Sequence, residues 1–186
     1  MSGRVTCDAL AMHFRPLQFL GGMETLFLSD LFVQRYEGRF AHSNFDLNPD
    51  YQRGHVWTQA QQEAFMGHML EGGATPLVVC NRVSIAVDEV VDGKQRLTAF
   101  YRWYTGQIDG VTDNFRINIA DLDDDARRWM ASPSGLRMTI GYVSLPRAEV
   151  LRLYLRLNRG GTIHADMEIE NVCHLLAVEC GEVAVP

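Results

Sequence analysis

"EVVDGKQRLTAFYRWY", residues 89–104, decides how this chain is read. A β-branched apolar run breaks at Gly93 and resumes with helical spacing, and Lys94, Gln95 and Arg96 stand at the break. The first backbone N–H groups of a helix have no intrahelical partners and lie at the positive end of its dipole. An anion placed there is stabilised by both effects. Gly93 allows a tight turn and a close approach of backbone to ligand. Lys94 adds a point charge and Arg96 a planar fork of donors. Asp92 is a candidate metal ligand, base or orienting partner of Arg96, and it is equally a favoured helix cap. The long glycine loop and G-K-[ST] ending of a Walker A loop are missing. Taken alone, the turn fits a solvated cap as well as an anion site.

Around this stretch the pattern predicts a mixture of helices and strands. Ser29 caps a helix over residues 30–36, stopped by Gly38. Thr58, with Gln61 three residues on, opens a second helix through a capping box, and Gly72 and Gly73 end it. Short strands are expected at 45–48, after Pro76, at 85–91, at 114–122 and after Leu136, with a helix at 97–106. Asp123, Asp124 and Asp125 read as the acidic first turn of a helix rather than a metal site. Val150, Leu153, Tyr154 and Leu157 recur at helical spacing, and a last helix follows from about residue 165. Along the predicted strand before Gly93, alternation puts Asp88, Val90 and Asp92 on one face, making Asp88 a second candidate carboxylate. The fold class is α+β (mixed α/β), one domain over 25–186 after an irregular arm over 1–24.

Composition bounds the function. The 186 residues are 47% hydrophobic and 22% charged, an ordinary globular balance with enough chain to bury a core. A net charge of -6 argues against sequence-independent duplex binding, which rests on neutralising phosphates. Cys7, Cys80, Cys173 and Cys180 form no C-x-x-C pair. No secretory signal and no apolar run of membrane-spanning length is present, so a cytoplasmic location without membrane contact is expected.

Two further loops repeat the kit of the central turn. "NPDYQRGHVW" (48–57) joins Gln52, Arg53 and Gly54 beside aromatics, and "LRLNRGGTIHADME" (155–168) joins Asn158, Arg159, Gly160 and Gly161. His55 and Trp57 read as packing residues. His164, Asn171 and His174 are too tightly spaced for an HNH nuclease unit.

With "VVDGKQRLTAF" (90–100) between them, these segments resemble, in order and spacing, the DGQQR-motif family. That family is typified by the N-terminal domain of GmrSD-type modification-dependent restriction enzymes, within the ParB/sulfiredoxin superfamily. The likeness covers about residues 26–172. Lys94 stands where the family usually has Gln, and Ile163 where it has Leu; Glu168 supplies the acidic residue.

The resemblance implies a ParB/sulfiredoxin-like domain, a small mixed sheet flanked by helices, with a nucleotide site. Carried onto this chain, Gln52, Gly93, Lys94, Gln95, Asn158, Arg159, Gly160 and Gly161 would bind the nucleotide and its phosphates. Asp92, Arg96 and Arg53 would be catalytic, and Mg2+ would sit on Asp92, with Asp88 beside it. The implied activity is hydrolysis of an NTP (ATP, GTP or CTP) or transfer of its phosphoryl group in DNA modification, defence or counter-defence. A kinase acting on hydroxymethylated bases in DNA is one form of it. The competing expectation is a non-catalytic module that senses a nucleotide or modified DNA and works with a separate nuclease or effector protein.

Overall fold

The computed structural model describes residues 19–20, 23–52, 54, 56–132, 134–158 and 166–182, with side chains from residue 169 onward in the last segment. In chain order the elements are β1 (Glu24–Phe27), α1 (Asp30–Tyr36), β2 (Asn44–Asp46), α2 (Gln59–Leu70), β3 (Val78–Arg82), β4 (Val87–Asp92) and α3 (Lys94–Tyr104). They continue with β5 (Gly110–Val111), β6 (Arg116–Ile117), a 3-10 turn (Ile119–Asp121), α4 (Asp124–Met130), β7 (Arg137–Val143), α5 (Arg147–Asn158) and α6 (Asp166–Glu179). The class is the expected α+β.

The main sheet has five strands in the order β1-β7-β3-β4-β2. β1 with β7 and β3 with β4 pair antiparallel; β3 with β7 and β2 with β4 pair parallel. A central strand packed on both faces needs continuous apolar sequence, and Val78, Val79 and Cys80 of β3 are all buried. One face carries Phe32 of α1, Met66 and Met69 of α2, and Leu97, Phe100 and Trp103 of α3. The other carries Val150, Leu151 and Tyr154 of α5, with Val172 of α6, over Val79, Val91 and Val143. The helices therefore cover the sheet from both sides.

Local chemistry explains most boundaries. Ser29 Oγ accepts from Phe32 N at the start of α1, and Thr58 and Gln61 form the capping box of α2. Asp123 Oδ1 accepts from Ala126 N at 2.8 Å and caps α4, so the acidic run is a helix start. The helix expected at 97–106 begins at Lys94, because Gly93 takes a left-handed φ of 106° and serves as the N-cap. The strand expected over 114–122 shrinks to Arg116–Ile117. Asn118 and Asp121 close a capping box over the 3-10 turn and draw the backbone out of the ladder.

The alternation expected along β4 also fails, for one physical reason. Cys80 pairs with Val90 but Val79 pairs with Asp92, so Val91 is an extra, bulged residue. Val90 and Cys80 belong to one core, Val91 and Val79 to the other. Cross-strand partners share a face, which puts Asp92 on the face of Val79, opposite Asp88.

Candidate functional site

A cavity of about 440 Å³ opens where β4 meets α3. Gln52, Asp92, Gly93, Lys94, Gln95, Arg96 and Asn158 all line it, so parts of all three sequence motifs meet there. Arg53, Arg159, Gly160 and Gly161 lie outside the described residues, as do His55 and His164.

Two glutamine side chains assemble the site. Gln52 Nε2 donates to Val90 O at 2.8 Å and to Val91 O at 3.3 Å, clamping the first motif onto the bulge of β4. Gln95 Oε1 accepts from the N–H groups of both Val56 and Trp57 at 3.2 Å, and its Nε2 donates to Gly54 O at 3.3 Å. Tyr51 makes the third tie. Its ring meets that of Tyr154 on α5 edge-on at 5.4 Å, and its hydroxyl donates to Glu89 Oε2 at 3.3 Å. One turn beyond Tyr154, Asn158 Nδ2 donates to Tyr154 O at 2.8 Å.

The start of α3 has the features of an anion site. Gly93 is its N-cap, and no side chain caps the helix. A Cβ at Gly93 would lie 2.8 Å from Val78 Cγ2, so both the left-handed φ and the packing call for glycine. Lys94 is 7% exposed, and its Nζ donates to Asn48 Oδ1 at 2.9 Å. Burial lowers its pKa from the ordinary lysine value, and the nearby Asp46 charge partly opposes the shift. Lys94 is the one lysine among the 186 residues.

Arg96 and Asp92 form an ion pair at 2.7 Å. The Arg96 guanidinium also donates to Pro76 O and to Leu77 O, so it ties the start of α3 to the segment entering β3. The Asp92 side chain keeps 39% of its surface exposed.

Asp88 is not brought to this cavity. Fully buried on the other face, it accepts from Arg82 Nε at 2.9 Å, Arg35 Nη2 at 3.4 Å and Ser43 Oγ. Arg35 Nη2 in turn donates to Tyr142 Oη at 2.8 Å. This is a structural charge cluster joining α1 to the sheet. Among the described residues, no group of three or more His, Cys, Asp or Glu side chains is placed to hold a metal ion.

Trp57, Phe65, His68 and Thr75 also line the cavity. Trp57 packs on the core as its sequence suggested, but it faces the cavity as well. Its place at the end of the first motif was the available signal. Phe65 and His68, three apart on α2, carried none.

Residues 28–171 match the model of a family described as GmrSD restriction endonuclease, N-terminal domain. No curated protein and no solved structure matches the chain. Among the described residues, no helix is long and apolar enough to cross a membrane.

Proposed function

Because the chain belongs to the family of GmrSD restriction endonuclease N-terminal domains, we propose that its cavity binds a nucleoside triphosphate with Mg2+ and hydrolyses it or transfers its phosphoryl group to DNA. The family supplies the wider setting, a restriction-related defence module with DNA as substrate or effector. The observation that carries the finer reading is the start of α3. Its N–H groups lack a side-chain cap, and Gly93, Lys94, Gln95 and Arg96 of that turn line a cavity walled by three motifs. Helix N-termini and lysine are both stabilising partners for phosphate.

Each residue has a definable part. Lys94 and the first N–H groups of α3 hold phosphate oxygens. Asp92 accepts a proton from the attacking hydroxyl or water, or holds the metal, and Arg96 keeps its carboxylate in place. Magnesium commonly binds through one or two carboxylates plus substrate phosphates and water. A single carboxylate at Asp92 fits a metal that arrives with its nucleotide, and when bound it would offset charge on the phosphates. Arg53, the family's second arginine here, would neutralise charge developing on the transferred group.

A second reading rests on the glutamines. Gln52 and Gln95 both spend their amides on main chain, and Lys94 replaces the family's usual glutamine. A site whose Gln95 amide is wholly committed to backbone suits a sensor that binds without turnover and signals to a protein partner. Incubation with γ-labelled ATP, GTP or CTP, with and without Mg2+ and DNA, separates these readings. Released phosphate means hydrolysis, and label on hydroxymethylated DNA means transfer. Binding without either supports the sensor, and no binding at all overturns both.

A further inference from the structure

The cavity has an aromatic end that phosphate does not use. Trp57 and Phe65 line it, with ring centroids 5.5 Å apart and planes tilted by 57°. Both side chains are half-buried, so each keeps some surface for a ligand. The Trp57 backbone is fixed on both sides. Its N–H donates to Gln95 Oε1 at 3.2 Å, and its carbonyl accepts from Gln62 Nε2 at 3.1 Å. Gln62 is 1% exposed, and its Oε1 accepts from Arg102 Nη1 at 2.8 Å.

Gln95 is the neighbour of Lys94 in the first turn of α3. One side chain therefore locks the aromatic wall to the cationic helix start. A ligand satisfying both ends carries a flat π-system and an anionic group joined by a short linker. Of common metabolites, a nucleoside phosphate has that form. The volume of about 440 Å³ lies in the usual range for small-molecule sites.

We infer that Trp57, backed by Phe65, stacks the nucleobase while the phosphates face the start of α3. The inference rests on the phosphate reading above and adds where the base sits and which residue holds it. Stacking tolerates any base because every base presents a π-face. Trp57 thus supplies affinity for nucleotides over inorganic polyphosphate without choosing among ATP, GTP and CTP.

The test compares calorimetric binding of ATP and of inorganic tripolyphosphate to the wild-type chain, Trp57→Leu and Trp57→Phe. The expected result is ATP binding at least tenfold tighter than tripolyphosphate in the wild type. Trp57→Leu should remove that advantage and leave tripolyphosphate binding unchanged, and Trp57→Phe, which keeps a ring and the fold, should retain most of it. ATP but not tripolyphosphate should quench tryptophan emission, and Trp57→Phe should abolish the quench. Equal affinity for both ligands in the wild type, or an unaltered quench in Trp57→Phe, overturns stacking and leaves the phosphate site standing. If neither ligand binds the wild type, the phosphate reading falls and stacking with it.

Discussion

Arg96 holds Asp92 at 2.7 Å while the same guanidinium donates to the carbonyls of Pro76 and Leu77. One side chain thus joins a candidate catalytic carboxylate to the segment that enters the central strand. Arg96→Ala leaves Pro76 O and Leu77 O without this donor. Pro76 is exposed and Leu77 half-buried, so water can replace the donor and the loss is that of a typical hydrogen bond, about 0.5–1.5 kcal/mol. Urea denaturation should show a loss of that order together with loss of turnover. Asp92→Asn removes a carboxylate whose side chain is 39% exposed. It should abolish phosphate release while shifting the urea midpoint little. A fully active Asp92→Asn enzyme would sink the assignment of Asp92.

Gly93→Ala combines a left-handed φ with a 2.8 Å approach to Val78. A non-glycine residue held there costs about 1–3 kcal/mol. Thermal denaturation should report the loss, and nucleotide affinity should fall because the first turn of α3 shifts.

Lys94 makes binding depend on pH in a stated direction. Burial lowers its pKa in the free protein, and a bound phosphate favours the charged amine and raises it again. Between those two values binding takes up a proton, so affinity falls as pH rises. The fall starts at a lower pH than for an exposed lysine. The stability sign is separate. A depressed folded-state pKa contributes stability present above the unfolded value and lost as pH falls through the folded one. At neutral pH the buried charge is therefore a cost. Lys94→Gln should make the protein more stable at neutral pH and flatten the pH dependence of binding. It should also weaken nucleotide binding by about ten- to a hundredfold, as expected for a lost charge-assisted hydrogen bond of about 1.5–3 kcal/mol. Titration calorimetry across neutral to alkaline pH checks each part.

Asp88→Ala should behave as a core mutation. Removing one partner of a buried ion pair costs about 3–5 kcal/mol, and here Arg35, 4% exposed, keeps Glu24 at 3.0 Å, so the loss should lie toward the low end of that range. A large drop in the urea midpoint is expected, with the Mg2+ requirement unchanged in whatever fraction stays folded. Loss of Mg2+ dependence alone, at wild-type stability, would return Asp88 to the metal site.

The sequence carried the caps and motifs more clearly than the contacts between them. Ser29, Thr58 with Gln61, and Asp123 act through residues three positions away, so their effect is visible locally. β1 overlaps the expected arm over 1–24 only at Glu24, and no strand is expected from the sequence on its other residues. Its four residues pair with β7, more than a hundred positions away, and carry no local pattern to reveal it. The motifs stood out by composition, but the ties that join them did not. Gln52 bonds to Val90 and Val91, and Gln95 to Val56 and Trp57, each nearly forty positions off. Both glutamines read from composition as ligand contacts; in the fold they line the cavity and also hold backbone.

The extra residue at Val91 makes strand pairing here as decisive as chemistry. A strand has two layers of side chains, and inserting one position exchanges them for everything downstream. Deleting Val91 would leave Asp92 paired with Val79 in unbroken alternation, still opposite Asp88, but would remove one of the two carbonyls that Gln52 holds. A chain that kept Val91 but paired it regularly with Val79 would turn Asp92 onto the Asp88 face, so the bulge and not the letters alone decides which side the carboxylate takes. The pairing between Asp88 and Gly93 is accordingly the feature to inspect when this site is sought in another chain.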